Sequence, residues 1–132
     1  MTKIHKFRFA KLVRDKAPVI MSSEGIASNM RIMEHEEYIS KLKDKILEEV
    51  QEVVESKHEE LLEELADVLE VVHCLARASG FSVDDIERER ISKFEKRGGF
   101  EEKIYISHVT TEQGGRLFDY MRSNPDKYQE IS

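Results

Sequence analysis

The chain has 132 residues, of which 36% are charged and 39% hydrophobic, with a formal net charge of −6. That is enough for one domain with a core and too little for two, and too apolar for a disordered chain. No apolar run approaches the ~20 residues of a membrane span, the basic start lacks a signal-peptide hydrophobic region, and a single cysteine, Cys74, excludes an intrachain disulfide and a cysteine-built zinc site.

These exclusions set the expectation of a cytoplasmic protein with no membrane partner. The net charge hides a segregation. Residues 1–16 carry six Lys/Arg against one acid, whereas residues 34–70 carry fourteen acids against four lysines. So acidic a surface would repel phosphate backbones, which argues against nucleic acid as a partner. A small phosphate ligand, held by a metal and by basic side chains, remains compatible with it.

In chain order, residues 1–17 read as a basic arm with some alternation (Ile4, Phe7, Phe9). Pro18 suits a helix start, and Ser22-Ser23-Glu24-Gly25 marks a break. From about Glu36, Leu42, Ile46, Val50, Val53 and Val54 recur at helical spacing until Ser56-Lys57-His58. A second helix is expected from about Glu59 to Ala78, burying Leu62, Leu65, Leu69, Val72 and Ala76, with Gly80 as its left-handed stop. Ser82 is a candidate N-cap for a third helix reaching about Lys96, before Gly98-Gly99. Lys103–Val109 alternates and is rich in β-branched and aromatic residues, making it a candidate short strand. A last amphipathic piece covers roughly Glu112–Arg122. The fold class read from this pattern is all-α, a small helical bundle forming one domain over residues 1–132.

The chemistry concentrates in two acidic pairs, Glu49 with Glu52 and Glu64 with Asp67. Each is spaced i, i+3, so its carboxylates share a helix face. Each pair brackets an expected core residue, Val50 or Leu65, and so lies on one flank of an apolar stripe. An acidic helix face is ordinarily just solvated, but such faces usually alternate sign. Here six acids fall between His58 and Ala76 with no Lys or Arg among them. Like-charge i, i+4 pairs (Glu48–Glu52, Glu59–Glu63, Glu60–Glu64, Glu63–Asp67) each destabilise an isolated helix by roughly 0.2–0.5 kcal/mol. A cation would relieve that repulsion. Oxygen-only ligands without cysteine favour Mg²⁺, Mn²⁺ or Ca²⁺, and Mg²⁺ suits a site shared with substrate phosphates. The Glu-x-x-His pairs Glu55–His58 and Glu70–His73 raise a di-iron alternative. It is disfavoured because His58 falls at the expected turn and no bridging glutamates stand on other helices.

With these residues in view, the sequence resembles a known group. Glu48-Glu49-x-x-Glu52 followed by Glu64-x-x-Asp67 looks like the signature of the MazG-type all-α nucleoside triphosphate pyrophosphohydrolases. That superfamily includes phosphoribosyl-ATP pyrophosphohydrolases and dimeric dUTPases. Leu65–Glu70, Lys93-x-x-x-Arg97, the opening Lys11–Lys16 and the closing Lys96–Phe100 are similar to further elements of the group, especially of a subgroup labelled phosphoribosyl-ATP pyrophosphohydrolase-like. The resemblance covers about residues 9–106, leaving the tail at 110–132 outside it.

The resemblance implies that Glu49, Glu52, Glu64 and Asp67 hold Mg²⁺ (or Mn²⁺), with Glu48 as a neighbouring base candidate beside Glu49. It implies hydrolysis of a nucleoside triphosphate between the α and β phosphates, giving a monophosphate and pyrophosphate. Lys93 and Arg97, four apart on one helix face, are candidate phosphate ligands, as are Arg14 and Lys16 of the arm. A thin core and the resemblance together predict a homodimer or homotetramer. Two other readings stand beside this one: a dedicated phosphoribosyl-ATP pyrophosphohydrolase, and a non-catalytic acidic helical module binding a basic partner.

Overall fold

The computed structural model describes residues 2–132, which form five helices: α1 (Ala17–Ser23), α2 (His35–Glu55), α3 (His58–Ala78), α4 (Val83–Arg97) and α5 (Arg116–Arg122). The all-α expectation holds, and the helix limits agree with the sequence signals. Pro18 lies in the first turn of α1, where its missing N–H removes no helical bond. Gly80 has φ +90°, and the N–H groups of Phe81 and Gly80 donate to the carbonyls of Ala76 and Arg77 at 2.8 and 3.1 Å. That is a Schellman closure of α3, in the place the glycine signalled. Ser82 caps α4 in a reciprocal pair. The Asp85 N–H donates to Ser82 Oγ at 3.0 Å, and the Ser82 N–H donates to Asp85 Oδ2 at 2.8 Å.

The candidate strand at 103–109 is not one. No strand occurs among the described residues, and Lys103–Val109 is irregular and exposed. Alternation alone cannot make a strand, because its backbone N–H and C=O groups need a partner strand, and among the described residues no other segment pairs with it.

The chain divides into two compact units, one ending at Lys96 and one beginning at Arg97. In the second, Tyr120 of α5 packs against Tyr128 in the segment that follows, with ring centroids 5.8 Å apart. The first unit is built on the hairpin of α2 and α3, the helix pair that packs side by side. Its buried hydrophobic residues are Leu42 from α2 and Val71 and Ala76 from α3. Half-buried positions continue the seam: Lys45, Ile46, Glu49 and Val53 on α2, and Leu61, Glu64, Val68, Val72 and Leu75 on α3.

The acids therefore do not flank the seam, as the sequence suggested. Glu49 and Glu64 are within it, while Val50, Val54, Leu62, Leu65 and Leu69 face outward, from 42% exposed at Val50 to 82% at Leu62. The cause is a rotation of each helix by about one residue, or 100°. On α2 the rows 42–46–50–53 and 42–45–49–53 differ at two positions, and hydrophobicity favours the wrong one.

Candidate metal centre

Three acids meet in the seam. Glu49 on α2 and Glu64 and Asp67 on α3 each offer a carboxylate oxygen, and these oxygens lie within 4.8 Å of one another. The helical hairpin explains the convergence. Glu64 and Asp67 are one turn apart on α3, and Glu49 faces them because α2 turns its 42–45–49–53 row inward. Glu52, the fourth expected ligand, lies outside this group but near enough to act on it. Partial burial, followed by the charges of Glu52, Asp67, Glu63 and Glu49, pushes the Glu64 carboxyl above its ordinary range. Four carboxylates raising the proton affinity of a fifth is the electrostatic mark of a site short of positive charge.

Two basic elements partly supply that charge. Lys45, a turn before the acids on α2, lies 3.3 Å from Glu48 and 3.5 Å from Glu49. The N-terminal arm supplies the rest. Arg14 donates to Asp67 Oδ1 at 2.7 Å, and Lys11 donates to Glu48 Oε1 at 3.1 Å. Glu48 consequently has two ammonium partners. Burial pushes its carboxyl up, but the hydrogen bonds from Lys11 and Lys45 outweigh burial and hold it below the usual carboxylate range.

The sequence-derived site residues thus fall into groups. Glu49, Glu64 and Asp67 converge, Arg14 joins them through Asp67, and Glu48 and Glu52 stand at the margin. Lys16 is the N-cap position of α1 and is exposed, without an ion-pair partner among the described residues. Lys93, on α4, is likewise exposed and not brought to the acids, and Arg97, the last residue of α4, belongs to the second unit. Sequence reasoning missed Lys11 and Lys45. Lys45 carried a readable signal, its i, i+3 and i, i+4 spacing to Glu48 and Glu49. Lys11 sat within the noted opening motif, but nothing in that motif pointed to Glu48.

The donor set fits a hard divalent cation: carboxylate oxygens only, drawn from two helices, in mutual repulsion, with no sulfur or imidazole among them. Among the described residues, no helix is long and apolar enough to cross a membrane.

The MazG-like family model matches residues 26–109, which contain α2, α3, α4 and all of the acids described above. Comparison with curated proteins and with solved structures gave no match. With most of its length matched, including both acid-bearing helices, this chain belongs to the MazG-like family.

Proposed function

We propose that the protein is a Mg²⁺-dependent nucleotide pyrophosphohydrolase, cleaving a nucleoside triphosphate between the α and β phosphates to a monophosphate and pyrophosphate. Membership of the MazG-like family points to nucleotide pyrophosphohydrolase activity in general terms. The observation that carries the specific reading is the convergence of Glu49, Glu64 and Asp67 within 4.8 Å. These residues, with Glu52 beside them, would hold the cation. A bound divalent cation there supplies Lewis acidity, neutralising phosphate charge and making water a better nucleophile.

The chain's own residues have separable roles. Glu49 and Glu64, carried on two packed helices, fix the spacing of the carboxylates. Lys45 orients Glu49 and Glu48 from one turn away. Glu48, the base candidate of the sequence reading, is held ionised by two lysines, which suits an anchor for the arm better than a proton acceptor. Arg14, already bonded to Asp67 beside the acids, is the cation best placed for a phosphate oxygen, with Lys16 two residues further along the arm. The outward stripes Val50–Val54 and Leu62–Leu65–Leu69 are apolar surface that a homodimer or homotetramer would cover.

A panel of nucleoside triphosphates together with phosphoribosyl-ATP, assayed for pyrophosphate with Mg²⁺ and with chelator, tests the proposal. Metal-dependent pyrophosphate release from at least one triphosphate is expected. Turnover of phosphoribosyl-ATP alone would select the dedicated hydrolase. Absence of any metal-dependent turnover, with salt-sensitive binding of a basic partner, would select the non-catalytic module.

A further inference from the structure

We propose that the arm segment from Lys11 to Arg14 is a latch on the acidic centre, closed through Asp67 and Glu48 and opened when a divalent cation binds. This rests on the metal-site reading above. Two ion pairs, made by Lys11 and Arg14 on the non-helical arm, close on two different helices. Arg14 reaches Asp67 on α3 at 2.7 Å, and Lys11 reaches Glu48 on α2 at 3.1 Å. The arm therefore bridges α2 and α3 beside the converging carboxylates.

Asp67 is both the partner of Arg14 and a member of the converging trio. A divalent cation among Glu49, Glu64 and Asp67 places two positive charges beside a guanidinium that is bonded to one of the same carboxylates. The arrangement is thus competitive: the cation and Arg14 both draw on Asp67, and repel each other. Release is easy on the arm's side, because the Arg14 side chain is 65% exposed and Lys11 is 42% exposed. On its other side Arg14 runs straight into α1, through a turn in which the Ala17 N–H donates to the Arg14 carbonyl at 3.0 Å. A released Arg14 becomes a free fork of donors suited to a phosphate oxygen. The latch couples cation binding to the availability of a phosphate ligand.

The test is Mn²⁺ binding, read from the EPR signal of free Mn²⁺ without nucleotide, for the full chain and its variants Arg14→Gln, Lys11→Gln and Asp67→Asn. Removing a competing closed state raises apparent affinity by the inverse of the open fraction. Arg14→Gln is therefore expected to tighten Mn²⁺ binding by about 5-fold if the latch is closed about four-fifths of the time, and more if it is closed longer. Lys11→Gln should change it in the same direction by less, and Asp67→Asn should weaken it. In a second readout, a nitroxide at Phe9→Cys on a Cys74→Ser background should gain mobility when Mg²⁺ is added. Unchanged or weaker Mn²⁺ binding in both Arg14→Gln and Lys11→Gln, with binding weakened in Asp67→Asn, overturns the latch and leaves the metal site standing. No Mn²⁺ binding by either the wild-type chain or Arg14→Gln overturns both.

Discussion

The Lys45 ammonium lies 3.5 Å from the Glu49 carboxylate one turn further along α2, with only 15% and 14% of the two side chains exposed. The same ammonium is 3.3 Å from Glu48. One lysine thus serves two adjacent acids, and it does so from inside the seam rather than from a solvated surface. Because Lys45 is anchored on the same helix, it cannot swing away as the arm can.

Glu48 should report this arrangement directly. Hydrogen bonds from Lys11 and Lys45 hold its carboxyl low against the upward push of burial. A carboxyl lowered on folding contributes stability that is present above its unfolded value and is lost as pH falls through the lowered folded value. Lys45→Gln or Lys11→Gln should raise the Glu48 titration midpoint toward the ordinary carboxylate range, and the double variant should raise it further. A side-chain carboxyl NMR titration measures this.

Glu64 should behave in the opposite sense. Its carboxyl is raised, first by burial and then by Glu52, Asp67, Glu63 and Glu49. A carboxyl raised on folding takes up a proton more readily in the native state, so its contribution favours the fold as pH falls through the raised value and opposes it above. Protons and a divalent cation then compete for the same oxygens. The rise in Tm on adding Mg²⁺ or Mn²⁺ should be largest near neutral pH and shrink as pH falls into the carboxylate range, as differential scanning fluorimetry across pH can show.

The α4 cap offers a structural check that is independent of the metal. Ser82→Ala removes the hydroxyl that accepts from the Asp85 N–H at 3.0 Å. The loss should be about 1 kcal/mol, seen as faster amide exchange in the first turn of α4. Asp85 is held low by the Ser82 backbone N–H and hydroxyl, with Arg88 adding to this. The cap is therefore present above the ordinary aspartate range and should weaken as acid protonates Asp85 through its lowered value.

The outward stripe separates folding from assembly. Leu42 is 2% exposed, so Leu42→Ala should lower stability by about 2–5 kcal/mol. Leu62, exposed on the single chain, should tolerate Leu62→Asp in the fold of the hairpin. If an oligomer covers that stripe, Leu62→Asp lowers the mass measured by light scattering while the circular dichroism of the helices persists.

Much of this is legible in the amino-acid sequence. Pro18, Gly80 and Ser82 act through local geometry, and local geometry is what a sequence encodes most directly, so the helix limits followed from it. The acids of the centre were legible as two i, i+3 pairs because repulsion without compensation is unusual. Two things were not. The rotation that turns Glu49 inward and Val50 outward depends on which of two neighbouring rows meets the other helix, and adjacent rows on a helix differ by a single residue. The pairing of Arg14 with Asp67, 53 residues away, is a tertiary contact that no periodicity announces. The candidate strand at Lys103–Val109 failed for a similar reason, since strand formation is decided by a partner and not by alternation.

The most direct test is pyrophosphate release with Mg²⁺ from the best triphosphate of the panel, compared between the wild-type chain and Glu64→Gln. Glu64→Gln keeps the shape of the side chain and removes one charge from the converging trio. The account predicts metal-dependent release by the wild type and a loss of at least about 100-fold in the variant, the upper end of what even indirect metal partners cost, with the helical spectrum unchanged. Wild-type levels of pyrophosphate release by Glu64→Gln would contradict it.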